Sequence, residues 1–388
     1  MHKTRAVRTI YIFLAAAMAL LTGCSSSGSD GGSGSSTADA AAVDTAGVAQ
    51  AKAIVAEFNK PPATIGQTVP LPEAPPAGKT LAFLVQEGVA SNALIGQAEG
   101  AAAKAIGWKY IEIPYDGSNP ATLQSAFNTA LIEHATAVTL TAIPTSVFGA
   151  SIIAAYQRAG VPIIVGAEAP VPPPSKEVYG DADGPATFQE AAKVVAAWFV
   201  ANSDGQGKAV IENVSSLTVI PIWVDEFQAE VKALCPKLCA VKVVNATLTE
   251  AVSPGQNGSL LATALQRSPG YKYLLFSDAT FSSGINTALA SAHLTGIKIG
   301  GSDFQVEQAA ALRSHTQAAW TGVSLQQLAY GDVDYALRAV EGVPLTTNNN
   351  TLPIELMNSA NIGQQTTFNQ PANSLQQYEK IWKVSVTP

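Results

Sequence analysis

The sequence predicts an α/β protein made of two lobes, each a doubly wound parallel sheet, that are joined by hinge strands. Short apolar runs of strand length alternate with Ala-rich runs of helix length from Lys79 onward. This alternation occurs in two series, which a Pro-rich stretch at 169–176 separates. The chain has 388 residues, which is enough for two hydrophobic cores. Strands and helices in this order predict right-handed crossovers and hence parallel sheets.

The N-terminus determines the expected compartment. A basic start precedes an apolar segment at 10–21, which is of secretory length and too short to span a bilayer comfortably. It ends in Leu21-Thr22-Gly23-Cys24, which looks like a bacterial lipobox. We therefore expect a lipoprotein signal peptide over 1–23 and an extracytoplasmic protein anchored to the cell membrane through lipidated Cys24. The alternative is a plain signal peptide with an accidental cysteine.

Residues 24–78 are predicted to be a flexible tether followed by a Pro-rich spacer. Gly and Ser dominate 25–36, as in flexible linkers. An Ala-rich stretch at 38–59 is compatible with a helix, and six prolines then follow between Lys60 and Gly78. That density of proline argues against regular structure. The folded body is therefore expected to begin near Lys79.

The first lobe is predicted to contain residues 79–183 and 325–352. Its first strand is continuously apolar, as expected of a strand that is covered on both faces. Gly107 supplies a left-handed helix end, and Asn119 with Pro120 supplies a helix start. The predicted elements are strands at 80–85, 108–114, 135–143 and 161–166, helices at 93–107, 119–134 and 144–160, and a returning helix at 325–341.

The second lobe and the tail are predicted to contain residues 184–324 and 353–388. More than one chain crossing between lobes suits a closing motion. The predicted elements are strands at 208–214, 241–246, 271–276, 297–301, 318–323 and 352–357, and helices at 185–202, 220–234, 255–266, 284–294, 309–314 and 373–382.

Cys235 and Cys239 remain once Cys24 is assigned to the lipobox. Outside the cytoplasm this pair can oxidise, so a small disulfide is expected, with free buried thiols as the alternative. A metal site would need further ligands nearby, and none stands out. We expect no metal and no cofactor.

Several function classes are disfavoured. The net charge of −7 argues against a nucleic-acid partner, because phosphate binding needs a basic face. The sequence has no nucleophile elbow, no phosphate-binding Gly-Lys-Ser/Thr and no His-Glu-x-x-His. A glycosidase needs two placed carboxylates, and nothing sets the separation of Glu87 and Asp303. The sequence therefore predicts that the protein is not an enzyme.

Short blocks spread over 79–382 carry a family resemblance, and they occur in a consistent order behind the lipobox. The sequence resembles the sugar-type periplasmic binding proteins of type I fold, which are the ligand-capturing subunits of ATP-driven importers. The blocks are the first strand with its loop, Gly160-Val161-Pro162-Ile163, Phe276-Ser277-Asp278-Ala279, Ile299-Gly300-Gly301-Ser302-Asp303 and Tyr378-Glu379-Lys380-Ile381-Trp382.

The resemblance implies a monomer that captures a small molecule in a cleft between lobes and delivers it to an ABC permease. The alternatives are a ligand-sensing receptor of the same fold and, less favoured, an extracellular enzyme. The positions that the resemblance places against the ligand are Gln86, Glu87, Asn92, Pro144, Thr145, Glu168, Trp223, Asp278, Phe281, Asp303 and Phe304.

Each of these positions also has a purely structural interpretation. Asp278 and Asp303 suit turn or helix caps, and Trp223 has helical neighbours that suit core packing. Two arginines that are usual in sugar-binding members are replaced here, by Ala167-Glu168-Ala169 and by Trp223. Aromatic residues gather near the predicted cleft instead. The implied ligand is a sugar or sugar-like molecule, or a more apolar or aromatic solute.

Overall fold

The structure is a computed structural model that describes residues 43–87, 90–117, 119–167, 178, 184–343 and 351–385. Cys24 and Glu168, two of the predicted functional positions, lie outside these residues. Within the described ranges, no helix has both the length and the apolar character that crossing a membrane requires.

The first lobe is built on a parallel four-stranded sheet in the order β2-β1-β3-β4. Three of the strands are largely buried and supply side chains to the core, whereas the edge strand β2 is mostly exposed or half-buried. The bounds of the strands are β1 (Thr80–Gln86), β2 (Lys109–Tyr115), β3 (Ala137–Thr141) and β4 (Ile163–Gly166), and those of the helices are α2 (Ala90–Ala105), α3 (Pro120–Ile132) and α4 (Ala150–Ala159).

The second lobe is built on a six-stranded sheet in the order β10-β9-β8-β7-β5-β6, in which only the edge strand β10 is antiparallel to its neighbour. Its strands are β5 (Lys208–Asn213), β6 (Ala240–Asn245), β7 (Tyr273–Phe276), β8 (Lys298–Gly301), β9 (Ala319–Val323) and β10 (Ile354–Asn358). Its helices are α5 (Pro185–Asn202), α6 (Val219–Leu234), α7 (Leu248–Ala251), α8 (Pro254–Gln266), α9 (Ile285–Ser291) and α10 (Val306–Arg313). The predicted α/β fold class with two parallel-sheet lobes is confirmed.

One helix of the first lobe lies in sequence between two strands of the second. It is α11 (Leu325–Glu341), which follows β9 and precedes β10 but packs against α2, β3 and β4. Two short helical turns, Thr145–Val147 and Ala279–Ser282, follow the ends of β3 and β7. The first of these corrects the single helix predicted at 144–160, because Gly149 has φ +83° and separates the turn from α4.

Residues 43–78 are part of the folded body, which corrects the predicted start near Lys79. A first helix, α1 (Thr45–Phe58), buries Val48 and Ala51 and packs against α5, α6 and β10 of the second lobe. Gly47 of this helix approaches the backbone of Leu234 so closely that a Cβ would collide with its carbonyl oxygen.

The Pro-rich segment 60–78 is also packed, but against the first lobe and the C-terminus. Its prolines leave it without a strand partner, and other groups hydrogen-bond to its backbone. The indole of Trp108 donates to Pro76 O at 2.9 Å, and Leu71 N donates to Ile381 O at 2.8 Å. The sequence suggested a spacer because composition reveals the lack of regular structure but not the tertiary contacts that replace it.

The last helix, α12 (Ser374–Ile381), packs on α11 of the first lobe, whereas residues 353–388 were predicted to belong to the second lobe. A buried group that we call the Asp334 cluster explains this placement, and it consists of Gln67, Asp334, Arg338 and Trp382. The Asp334 carboxylate accepts from Arg338 Nε at 2.7 Å, Trp382 Nε1 at 2.9 Å and Gln67 Nε2 at 3.1 Å. Arg338 also donates to Val69 O. One carboxylate therefore holds the Pro-rich segment, α11 and the residue that ends α12.

The second lobe also contains a covalent link. Cys235 and Cys239 are joined as a disulfide with a Cα–Cα distance of 5.6 Å, which is in the usual range. The bridge closes the turn between the end of α6 and the start of β6.

The Asp334 cluster generates a stability prediction. Replacing Arg338 with Met removes the cation and leaves Asp334 buried and negative, which we expect to lower the free energy of unfolding by about 3–5 kcal/mol. Urea denaturation measures this change. The matched control is Lys52→Met, which breaks an exposed pair with Asp204 and should cost no more than about 1 kcal/mol. Equal losses for the two variants would contradict the role assigned to the cluster.

Candidate ligand-binding site

A cavity of about 350 Å³ lies where the carboxyl ends of strands from both sheets meet. In parallel sheets, ligand sites form at this edge because the loops that follow the strands converge there. The first lobe contributes residues that follow β3 and β4 and the start of α2, namely Thr141, Ala142, Pro144, Ala167, Ser91 and Leu94. The second lobe contributes the loops that follow β5, β7 and β8, and α11 contributes Leu325, Gln326 and Leu328.

Most of the cavity wall is apolar. The phenyl rings of Phe188, Phe304 and Phe368 face it together with aliphatic side chains such as Leu217 and Ile220. Phe304 and Phe368 touch edge to face, with ring centroids 6.3 Å apart. Such rings offer flat faces to a ligand and no polar atoms.

Asp278 follows β7 and lines the cavity from the second lobe. Its Oδ1 accepts a hydrogen bond from Thr280 N at 2.7 Å, so it also caps the short helical turn that begins there. Burial raises the pKa of the Asp278 carboxyl, and the hydrogen bonds from Thr280 oppose the rise. A partly dehydrated carboxylate at a cavity wall accepts hydrogen bonds or a positive charge strongly.

Asp303 follows β8 and lines the same cavity. It has φ +67°, in the left-handed region that Asp tolerates better than most residues. The residues on both sides of it are fixed, because Ser302 N donates to Phe276 O at 3.0 Å and Phe304 N donates to Thr321 O at 3.1 Å. The loop is therefore held in a conformation that brings Asp303 to the cavity.

A second buried carboxyl lies behind Asp278. Glu212 is on β5, the strand beside β7, and its side chain is fully buried. Burial raises the pKa of Glu212 to about 8, and the nearby Asp278 charge adds to the rise. This side of the cavity therefore holds two carboxyl groups that are poorly solvated.

The structure distributes the predicted site residues unevenly. Asp278, Asp303 and Phe304 line the cavity, and contact between them and a ligand stays a prediction. The loop after β5, Phe188 and Thr367–Phe368 were not predicted. The loop after β5 could have been predicted, because it follows an apolar strand. Nothing in the local sequence places Phe368 at the cavity.

Trp223 and Phe281 are core residues here, which corrects their predicted place in the cleft. Trp223 is fully buried, stacks on Phe227 at 5.2 Å and donates from Nε1 to Ser302 Oγ at 2.8 Å. It therefore supports the residue before Asp303. Phe281 is buried beside α8, and its carbonyl accepts from Asn257 Nδ2 at 2.8 Å.

The predicted site residues of the loop after β1 do not line the cavity either. Asn92 bridges Gln86 O at 3.1 Å and the hydroxyl of Thr141 at 3.3 Å. It positions Thr141, which does line the cavity, but does not line it itself. Gln86 lies near the hydroxyl of Tyr115 on the neighbouring strand, and Glu87 is exposed. Glu168 cannot be placed, because it is outside the described residues.

Among the described residues, no group of His, Cys, Asp and Glu side chains is arranged to hold a metal ion.

Two parallel-sheet lobes with a cavity between their carboxyl edges define the type I class of periplasmic binding fold. Residues 92–343 match the family described as "Periplasmic binding protein domain". The chain therefore belongs to the periplasmic binding proteins, which confirms the resemblance seen in the sequence.

Solved structures show the same fold. An ABC sugar transporter subunit from Rhodobacter sphaeroides 2.4.1 superposes with a TM-score of 0.59 at 18% identity, over 74% of this chain and 99% of its own. A sugar-binding protein of a Bacillus halodurans sugar ABC transporter gives 0.63 at 14%, over 74% and 99%. An Agrobacterium vitis solute binding protein bound with α-D-tagatopyranose gives 0.61 at 14%, over 76% and 100%. No match was found among curated protein sequences.

The buried carboxyl of Glu212 generates a pH prediction. The native group keeps its proton up to about pH 8, whereas a free glutamate loses it near 4.5. Between these two pH values the native state therefore binds more protons than the unfolded state. The free energy of unfolding consequently falls as the pH rises from about 4.5 to about 8. Glu212→Gln should remove this fall and be more stable than the parent at pH 8 by at least about 1 kcal/mol.

Denaturant titrations at pH 5 and pH 8 measure the effect. Glu87→Gln is the control, since Glu87 is exposed. If Glu212→Gln and the parent lose stability equally between these pH values, the assignment of a buried, protonated Glu212 is contradicted.

Proposed function

We propose that this chain is a lipid-anchored, extracytoplasmic solute-binding protein that captures a small molecule between its lobes and delivers it to an ABC permease. The observation that carries the proposal is the cavity of about 350 Å³, whose walls come from both sheets. A solute that contacts both walls binds the closed arrangement better than the open one, and so favours closure. Because closure changes the shape of the protein, a permease can distinguish the ligand-bound protein from the empty one.

Family membership supports this function. Structures of the same fold include a subunit of an ABC sugar transporter, a sugar-binding protein of a sugar ABC transporter, and an ABC transporter solute binding protein with bound glycerol. At such low sequence identity, the similarity shows a shared fold but does not identify the ligand. The proposed solute is therefore a sugar, a sugar-like molecule or a more apolar molecule. The protein acts as a monomer, and its role is binding without catalysis.

The anchor is proposed from the sequence around Cys24. The helix α1, where the described structure begins, packs on the second lobe. In the sequence, the proposed tether from Cys24 leads into this helix.

Filling the cavity tests the binding proposal. Thr141→Trp places a large ring in the cavity wall, and we expect the affinity for the solute to fall at least about tenfold by steric exclusion. Titration calorimetry against the small molecules released from the purified protein, and against D-ribose, D-galactose and glycerol, measures it. Ile132→Trp is the control, because Ile132 is 73% exposed and outside the cavity. Unchanged binding in Thr141→Trp would contradict the proposed site.

The anchor has a separate test. Cys24→Ala removes the only thiol available for lipidation in the lipobox, so the protein should move from the membrane fraction to the soluble fraction and lose incorporation of labelled palmitate. The control is Cys235→Ser with Cys239→Ser, which removes the disulfide and should leave fractionation unchanged. Membrane association of Cys24→Ala equal to that of the parent would refute lipid anchoring.

A further inference from the structure

The N-terminal part of the described chain is attached to both lobes. The helix α1 lies on the second lobe, where it packs against α5, α6 and β10. The residues that follow it are attached to the first lobe, through α12 and the Asp334 cluster. Between these two attachments the chain passes from one lobe to the other. We call residues 59–65, which make this passage, the N-terminal strap.

Asn59 attaches the strap to the second lobe. It ends α1, where its N–H donates to Val55 O at 2.9 Å. Its side-chain oxygen accepts from Asn358 Nδ2 at 2.7 Å and from Asn361 Nδ2 at 3.1 Å, at the end of β10. Asn361 in turn donates to Leu356 O at 2.9 Å. The first end of the strap is therefore held by a strand of the second sheet.

Gln377 attaches the strap to the first lobe. It lies on α12, and its side chain forms two hydrogen bonds with the backbone of the strap. Its Nε2 donates to Ala63 O at 3.0 Å, and its Oε1 accepts from Ile65 N at 3.1 Å. The same Nε2 donates to Asn373 Oδ1 at 2.7 Å, which fixes the orientation of the amide. Ile65 is itself buried, so the attachment has an apolar part as well.

The strap is short between its two attachments. Four residue steps separate Asn59 from Ala63, and an extended chain spans at most about 14 Å over that length. Pro61 and Pro62 lie inside this interval, and each fixes its own φ at about −65°. The separation of the two attachments therefore has an upper limit, and the chain between them is stiff.

A second short connection leaves the same sheet at another point. Ser324 is the single residue between β9 and α11, and it is fully buried and accepts from Gln327 N at 3.2 Å. Asn358, which holds the strap, pairs with Ala319 at the other end of β9. The two connections therefore leave the sheet at points separated by the length of β9, on the order of 13 Å. The remaining passages between the lobes are longer, and they cover 167–184, 342–353 and 359–373.

Two separated connections restrict motion more than one does. Two bodies that are joined at a single point can rotate about it in every direction. A second short connection leaves only the rotation about the line through both points. We propose that the N-terminal strap is a second hinge, which together with Ser324 confines the lobes to opening and closing about one axis. This inference goes beyond the proposed function, because it concerns the motion of the lobes whatever solute they hold.

Lengthening the strap tests the inference on the purified full chain, without solute. Gly-Ser-Gly-Ser is inserted between Pro61 and Pro62, which keeps both attachments and adds on the order of 10 Å of reach. The matched control is the same insertion between Pro269 and Gly270, in an exposed turn within the second lobe. The second insertion leaves the connection between the lobes as it is.

Pulsed electron paramagnetic resonance measures the distance between nitroxide labels on the two lobes. Val147→Cys and Val252→Cys carry the labels, because both positions are exposed and they follow β3 and β6, strands of different lobes. Cys24→Ser prevents labelling elsewhere, since Cys235 and Cys239 are joined as a disulfide. We expect the distance distribution to become at least about twice as wide with the lengthened strap and to stay unchanged with the control insertion.

Gln377→Leu is a second variant, which removes both hydrogen bonds to the strap without changing its length. It should also widen the distribution, whereas Gln157→Leu, at an exposed position of α4, should not. Thermal melting verifies that each variant is folded, and if the insertion prevents folding, Gln377→Leu decides alone.

Two results would overturn the inference. In the first, the distributions of the folded strap variants stay as narrow as that of the parent. In the second, the control variants widen the distribution as much as the strap variants do. Solute capture would stand in both cases, because the measurement uses no solute.

Discussion

Parallel strands end along one edge of a sheet, and in this chain two sheets share a cavity at those edges. Everything proposed about function depends on that constraint. The loops after β3 and β4 on one side, and after β5, β7 and β8 on the other, reach the cavity because the direction of the strands puts them there. The chemistry of the site is therefore set by the few residues that follow each strand.

A helix of the first lobe also belongs to this arrangement. α11 begins at the cavity with Leu325 and Gln326 and, two turns further on, carries Asp334 and Arg338 of the Asp334 cluster. The cluster ties this helix to the Pro-rich segment and to Trp382. A segment that composition marks as a spacer is thus fastened to the same helix that lines the site.

The sequence was sufficient for the fold class, for most of the strands and for the family, because these depend on local periodicity and on short blocks in order. It was also sufficient for Asp278, Asp303 and Phe304 as cavity residues, since each directly follows an apolar strand. It failed where tertiary packing decides. Trp223 is of a residue type that often stacks on ligands, but its side chain is fully buried in the core. Phe368 lines the cavity although it comes from a stretch without any periodic pattern. The contacts of 43–78 were invisible for the same reason.

Electron density in the cavity, from crystals of the full chain purified without unfolding, tests the central claim most directly. The account predicts a small molecule in contact with residues of both lobes, with Thr141 on one side and Asp278 or Asp303 on the other. A molecule bound elsewhere on the protein, or a cavity that stays filled only with water at saturating concentrations of the compounds that bind in solution, would contradict it.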